Sequence, residues 1–195
     1  MTHTLKSLAQ LTAFITWLAL NLSMVSLANA TSLLPLTLEQ LSTRAELIFY
    51  GRVTENTTAR DEQSGQIATH TTFEVIELIK GEAADRHTIK QIGGQLKETG
   101  TTLRIQGVPR YIVGESYVIF LPEKSSLGFS SPLGLYQGSF SVSTIDGEQV
   151  VSNGRQLEQE AQTRNSSLPL AVKAGNKAQA RLGDFIDTIR TYNAR

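Results

Sequence analysis

Two histidines, His70 and His87, are the residues best suited to metal binding or acid–base chemistry outside the N-terminal segment. They fall on different predicted strands, so they could approach each other across a sheet. Two imidazoles make an incomplete site, since zinc usually takes three or four protein ligands. We therefore expect both histidines at the surface or at a strand edge, and we predict no metal and no cofactor.

Nucleophilic or carboxylate catalysis has equally little support. A serine hydrolase places its serine in a G-x-S-x-G turn between a strand and a helix, whereas Ser139 and Ser141 stand in QGSFSV without the second glycine. The carboxylate pairs Asp61-Glu62 and Glu158/Glu160 lie in polar stretches, where solvation would leave nothing to distinguish an acid from a base. The chain also lacks the H-E-x-x-H motif of zinc proteases. The sequence predicts a protein that is not an enzyme.

Glycines recur through IGGQLKETGTTLRIQGVPRYIVGESYVIFLP, which raises the question of a phosphate-binding loop. A dinucleotide fingerprint requires G-x-G-x-x-G between a strand and a helix, and a P-loop requires Gly-Lys-Ser/Thr at the start of a helix. Neither pattern is present, and strand-forming residues follow the glycines. The glycines instead separate short predicted strands, as turns do in a β-sandwich or barrel.

Composition excludes several kinds of partner and site. The chain has 18 basic and 18 acidic residues, so it lacks the positive charge that attracts nucleic acid or an anionic membrane. It has no cysteine, which rules out disulfides, thiolate zinc sites and cysteine nucleophiles. With 195 residues and 40% hydrophobic content, it is long enough for one domain with a buried core.

The first thirty residues have the features of an export signal. Lys6 gives a positive start, residues 11–27 carry no charge, and Ala28-Asn29-Ala30 is a small-x-small cleavage site. We predict a cleaved signal peptide over 1–30 and a mature chain from Thr31, with a retained membrane anchor as the alternative. A cysteine-free exported chain indicates a periplasmic or extracellular location at a bacterial envelope.

The mature chain carries a succession of strand patterns framed by two helices. Thr37-Leu38-Glu39-Gln40 matches a capping box at the start of a short helix, and Asp146-Gly147 indicates a hairpin. Residues Ile67–Val75 alternate with a period of two, and the change of apolar parity at Ile76 and Leu78 predicts a β-bulge. The continuous apolar run SYVIFLP predicts a strand covered on both faces.

These patterns predict a mainly β fold: a small OB-like antiparallel barrel with a short N-terminal helix and a C-terminal helix packed on it. The barrel domain is expected over 31–152. The polar stretch 153–174 is predicted to be a linker. Residues 175–195 carry apolar residues at helical spacing and are predicted to form the C-terminal helix of the same domain.

The order of a short helix, AELIFYGRV, a polar loop, TFEVIELIKG and HTIKQI resembles netrin-like modules and the tissue inhibitors of metalloproteinases. The resemblance covers about residues 45–121 and depends on strand order, the Gly51-Arg52-Val53 step and the Ile-Lys-Gly ending at Gly81. It implies an OB-like barrel and a protease as one possible partner. Those inhibitors bind the protease zinc through an N-terminal cysteine, which this chain lacks, so their inhibitory residues are not carried over. The glycine pattern is also similar to that of a set of uncharacterised exported bacterial proteins.

Two loops carry residue types that are typical of protein interfaces. In EKSSLGFSSPLGLYQG, the apolar residues Leu127, Phe129 and Leu133 stand among Ser, Gly and Pro. Arg110 and Tyr111 follow a predicted turn and are residue types enriched in binding hot spots. The alternatives are that Phe129 and Leu133 plug an open barrel end and that the Tyr111 ring packs on the barrel rim.

We therefore expect an exported, non-catalytic barrel that binds a protein partner in the cell envelope through Arg110, Tyr111, Leu127, Phe129 and Leu133. One alternative is a metal-dependent or serine hydrolase with a site that no motif reveals, and another is an oligomeric envelope scaffold. No nucleic-acid partner is expected, and membrane contact is expected only through an uncleaved signal segment.

Overall fold

The computed structural model describes residues 34–153, 170–173 and 177–194. The predicted signal peptide, most of the predicted linker, and Glu158 and Glu160 lie outside these residues. In chain order the elements are α1 (Leu38–Arg44), β1 (Leu47–Arg60), β2 (Ile67–Lys80), β3 (Arg86–Ile92), β4 (Gly94–Gln95), β5 (Thr102–Leu103), β6 (Ser116–Leu121), a 3-10 helix (Leu135–Gly138), β7 (Ser139–Ile145), β8 (Glu148–Ser152), β9 (Leu170–Lys173), β10 (Lys177–Arg181) and α2 (Leu182–Asn193).

Eight strands form one antiparallel sheet in the order β3-β2-β1-β6-β7-β8-β10-β9, and β4 pairs with β5 separately. The predicted mainly β fold with an N-terminal and a C-terminal helix is confirmed. The expected closed barrel is not found among the described strands, because β3 and β9 end the sheet without pairing with each other. A loop covers the outer edge of β3 instead: the Ser130 amide donates to the Lys90 carbonyl at 2.9 Å.

Apolar side chains cover the central strands on both faces, because successive side chains of a strand point to opposite sides. On one face, Ile48 and Phe120 pack with residues of α1 and α2. On the other, Phe49 and Ile119 share a second core with Phe73. Residues 117–121 of β6 are all buried, which confirms the prediction of a strand covered on both faces.

The ladder between β1 and β2 is long and bent. Each strand has 14 residues, and the pairing contains three register shifts. One shift leaves Ile76 without a partner between the Tyr50–Glu77 and Gly51–Val75 pairs, which confirms the predicted bulge. Because β6 pairs with β1 only over residues 47–52, the second half of the β1–β2 hairpin extends beyond the central sheet.

The local signals at helix and hairpin ends are confirmed. The Gln40 amide donates to the Thr37 hydroxyl at 3.1 Å, and the Thr37 amide donates to the Gln40 side chain at 3.0 Å, which completes the capping box of α1. Asp146 and Gly147 have positive φ angles of 53° and 81°. This is the backbone that a tight two-residue connection between β7 and β8 requires.

The C-terminal part differs from the expectation. Residues 170–173, assigned to the linker by their sequence, form β9, and the helix begins at Leu182 because residues 177–181 form β10. β10 pairs with β8 through Ala180–Val151 and Arg181–Val150. Backbone hydrogen bonds to the edge of β8 thus outweigh the helix propensity of alanine here.

Candidate functional site

A cleft of about 700 Å³ opens where the β1–β2 hairpin extends beyond the central sheet. The sheet face that carries Val53, Phe73 and Ile89 in the core continues into this cleft. There its side chains become neutral and polar. They are Asn56, Thr58, Thr69, Thr71 and Gln91.

Strand register determines which side chains reach the cleft. Thr58, Thr69 and Gln91 form one row across β1, β2 and β3, and the neighbouring row joins Asn56 to Thr71. Residues directly opposite each other in an antiparallel pair share a face. Side chains that are far apart in sequence are therefore brought to one surface.

Residues 102–111, here called the covering segment, contribute the other wall of the cleft. Its last residue, Tyr111, anchors it. The Tyr111 carbonyl accepts a hydrogen bond from Asn56 Nδ2 at 2.8 Å, and its ring lies edge-on to those of Phe73 and Tyr117, with centroids 5.1 and 4.9 Å away. Burial raises the pKa of the Tyr111 hydroxyl, so the anchor stays uncharged.

At Gly93 and Gly94 the backbone crosses the rows of polar side chains and comes into contact with Thr58 and Thr69. Thr69 Oγ1 donates to the Gly93 carbonyl at 2.7 Å and lies 2.9 Å from Thr58 Oγ1. Since a hydroxyl has one proton, Thr58 is the donor in the second bond. A Cβ atom on Gly94 would lie 2.6 Å from the Thr58 methyl carbon. Only glycine fits this crossing, and the threonine hydroxyls hold it in place.

Three buried polar atoms of lining residues have no hydrogen-bond partner among the described residues: Gln91 Nε2, Asn56 Oδ1 and the Tyr111 hydroxyl oxygen, which lies within the aromatic core. Gln91 is only 3% exposed. An unpaired buried donor or acceptor costs about 1–3 kcal/mol, and most such groups in proteins are paired with protein or water. A donor and an acceptor thus remain for a molecule that enters the cleft.

The charges of the lining are all on arginine. Arg104 and Arg110 are exposed and form no ion pair or hydrogen bond with the described residues, and an arginine guanidinium stays protonated in proteins. The described lining contains no Asp, Glu, His, Lys, Cys or Ser. It therefore offers no side chain that could exchange a proton near neutral pH, and its arrangement suits binding better than acid–base catalysis.

The two candidate histidines do not come together. In the β2–β3 ladder, His70 pairs with Lys90 and His87 pairs with Phe73. Positions 87 and 90 of β3 face opposite sides because side chains alternate, so the imidazoles lie on opposite faces of the sheet. Burial lowers the pKa of His87, and the charge of Lys124 lowers it further. In the described part of the chain, no group of three or more His, Asp or Glu side chains is placed to hold a metal ion.

The two candidate serines have structural positions. Ser139 is buried in β7, and the Ser141 hydroxyl donates to the Ser152 carbonyl at 2.9 Å. Neither forms a hydrogen bond with a histidine within the ranges that the structure describes.

The expectation that Asp61 is solvated is wrong. Its side chain is 9% exposed and pairs with Lys90 at 2.6 Å, and the amide and hydroxyl of Ser64 donate to its other oxygen. The Lys90 hydrogen bond, followed by those from Ser64, lowers the pKa of Asp61 to about 2. Strand register brings Lys90 beside the β1–β2 turn, which sequence spacing could not reveal.

Three of the five predicted partner residues lie outside the two cores and retain some exposure. Arg110 is exposed at the cleft, and Leu127 is 42% exposed in the loop after β6. Phe129 is half-buried, with its ring centroid 4.6 Å from Lys90 Nζ.

Of the other two predicted partner residues, one is buried in a core and one is half-buried against a core. Tyr111 is 6% exposed within the core that contains Phe73, and Leu133 packs against the core on the helix side of the sheet. Tyr111 presents no free contact surface, because packing against apolar neighbours removes it from water, whereas Leu133 keeps part of its surface exposed. The five residues thus do not form one surface.

Sequence reasoning missed Asn56 and Gln91. A partial signal was present, since Thr69 and Thr71 alternate in phase with Phe73 and therefore occupy an inward-facing side. Asn56 and Gln91 join that face only through the pairing of three strands.

No protein-family model matches the chain, and no curated protein is significantly similar to it in sequence. Within the part of the chain that the structure describes, no helix has the length and apolar character needed to cross a membrane.

Proposed function

We propose that this protein is an exported, non-catalytic binding module and that the polar cleft is its binding site. The buried amide of Gln91, with its unpaired Nε2 atom, is the observation that carries the proposal. Folding leaves few buried donors without a partner. An unpaired donor at the wall of a cleft has a physical explanation if it forms a hydrogen bond with a molecule that binds in the cleft.

Preorganisation supports the same conclusion. The Asn56–Tyr111 bond fixes the covering segment against β1, and the Thr58–Thr69–Gly93 bonds fix the opposite wall. A site whose walls are already ordered loses less conformational entropy when it binds.

Export and ancestry remain proposals from the sequence. The positive start, uncharged stretch and small-x-small end of residues 1–30 support export to a bacterial envelope. The consecutive antiparallel pairing of β1, β2 and β3 is compatible with the proposed netrin-like, OB-like relationship.

Thermal unfolding of the mature chain with a panel of small amides, sugars and organic acids tests the binding proposal, because a ligand of the folded state raises Tm. We expect at least one compound to raise the Tm of the wild type. The Gln91→Met variant, which loses the amide but keeps a similar length, should lose this response. Gln63→Met is the matched control, since Gln63 is exposed in the β1–β2 turn.

Without ligand, Gln91→Met should be more stable than the wild type by about 1 kcal/mol, because an apolar group replaces an unpaired buried donor. Equal Tm shifts in Gln91→Met and Gln63→Met would contradict the proposal, as would a panel in which no compound acts.

A protein partner is the second candidate. Ile112 and Val113 are 57% and 56% exposed beside Arg110, and adjacent exposed apolar groups are typical of contact sites. A protein contact through these residues, with no use of the cleft, predicts that no small compound in the panel gives a Gln91-dependent shift.

A further inference from the structure

We infer that the ligand of the cleft is a small anion in which a carboxylate or phosphate group is attached to a neutral body rich in hydrogen-bonding groups. This inference rests on the proposed binding function and adds the chemical class of the ligand.

The anionic group is assigned from the two arginines. Arg104 and Arg110 both line the cleft, and neither has an ion-pair partner among the described residues. A guanidinium presents a planar fork of donors that matches the oxygens of a carboxylate or phosphate. Because the described lining residues include no Asp or Glu, no carboxylate among them competes for these groups.

The neutral body is assigned from the polar rows of the sheet. Gln91 Nε2 requires an acceptor, and Asn56 Oδ1 requires a donor. A ligand with both, such as an amide or a polyol, satisfies the pair. A cationic group is disfavoured, since the lining that the structure describes has no carboxylate to receive it and has two positive charges to repel it.

The spacing of these atoms sets a lower limit on ligand size. Asn56 is on β1 and Gln91 is on β3, with β2 between them. Two strand spacings, together with an offset of two residues along the strands, place their backbones about 12 Å apart. An isolated phosphate ion cannot reach both residues, whereas a molecule the size of a blocked dipeptide or a sugar phosphate can.

Isothermal titration calorimetry with two matched pairs of compounds tests the charge. The first pair is N-acetyl-dialanine and its C-terminal amide, and the second is glucose 6-phosphate and glucose. We expect at least one anion to bind the mature protein about tenfold or more tightly than its neutral partner, as one lost charge-assisted hydrogen bond implies. The pair that shows the difference identifies whether the oxyanion is a carboxylate or a phosphate.

The variant Arg104→Gln/Arg110→Gln should lose this preference. Arg44→Gln/Arg86→Gln removes the same charge from two exposed arginines outside the lining and should keep it. The preference should also weaken as salt is added, since exposed charges are screened.

Three results would overturn the inference, and they differ in their meaning for the binding proposal. If neutral and charged members bind equally and Gln91→Met abolishes both, the cleft binds ligands but the anionic class is wrong. If the anions bind and Arg44→Gln/Arg86→Gln weakens them as much as the cleft variant does, binding reflects overall charge. If no compound of either pair binds, the inference fails, and the thermal panel then decides the binding proposal separately.

Discussion

At the scale of single residues, the buried amides carry the functional argument. Gln91 lies in the same strand as the fully buried Ile89 and on the same face, so an apolar residue would fit its position. The donor that it brings into the interior is a cost to folding. Stability is often lower at binding sites for this reason, and Gln91 follows that pattern.

The ion pair of Asp61 with Lys90 gives a prediction of how stability depends on pH. Its pKa is lowered from 3.8 to about 2 in the folded state, so the ionised form stabilises the fold above its unfolded-state pKa. That contribution is lost as pH falls through the folded-state value. In denaturant unfolding, the wild type should therefore lose its stability advantage over Asp61→Asn between about pH 4 and about pH 2.

The exposed neighbour Glu62 provides the control for this prediction. Glu62→Gln should follow the wild-type profile, because the structure gives it no ion pair with the described residues. Parallel stability curves for the wild type and Asp61→Asn down to pH 2 would show that the Lys90 pair does not hold the turn.

At the scale of elements, the cleft results from unequal strand lengths. β1 and β2 continue for several residues beyond the end of β6, and the covering segment lies beside the half of β1 that does not pair with β6. The Gly93-Gly94 crossing keeps the hairpin of β4 and β5 close to the threonine rows. Gly93, Gly100, Gly107 and Gly114 have positive φ angles, as chain reversals require, and at Gly94 the close approach of two threonines adds a stricter requirement.

Gly94→Ala tests that requirement. Gly94 has a φ of +132° and no space for a Cβ atom, so we expect a loss of roughly 2–4 kcal/mol from overpacking and backbone strain together. Gly100→Ala is the control: its φ is +71°, but a Cβ atom there meets open space, and a loss of about 1 kcal/mol is expected. Denaturant unfolding measures both, and equal losses would contradict the close-approach argument.

At the scale of the whole molecule, local patterns predicted the elements better than their assembly. The capping box of α1, the bulge at Ile76 and the doubly covered β6 follow from side chains within a few residues of each other, and the sequence was sufficient for them. Barrel closure depends on whether β3 meets the far end of the sheet. The loop at Ser130 occupies that edge instead, and no local pattern specifies such a contact.

The cleft was unpredictable for the same reason. Asn56, Thr69 and Gln91 come from three strands, and their common face exists only once the register between the strands is set. A shift of one residue would turn each side chain to the other face. The strand β10 was also unpredictable from local sequence. Its alanines favour a helix, but pairing with the edge of β8 makes it a strand.

The most direct test of the binding proposal is a two-dimensional ¹⁵N NMR titration of the mature protein with the compound that gives the largest rise in Tm. The side-chain amide signals of Gln91 and Asn56 should shift progressively and saturate together with the backbone signals of the covering segment. A compound that binds while both side-chain signals stay in place would contradict the assignment of the cleft as the binding site.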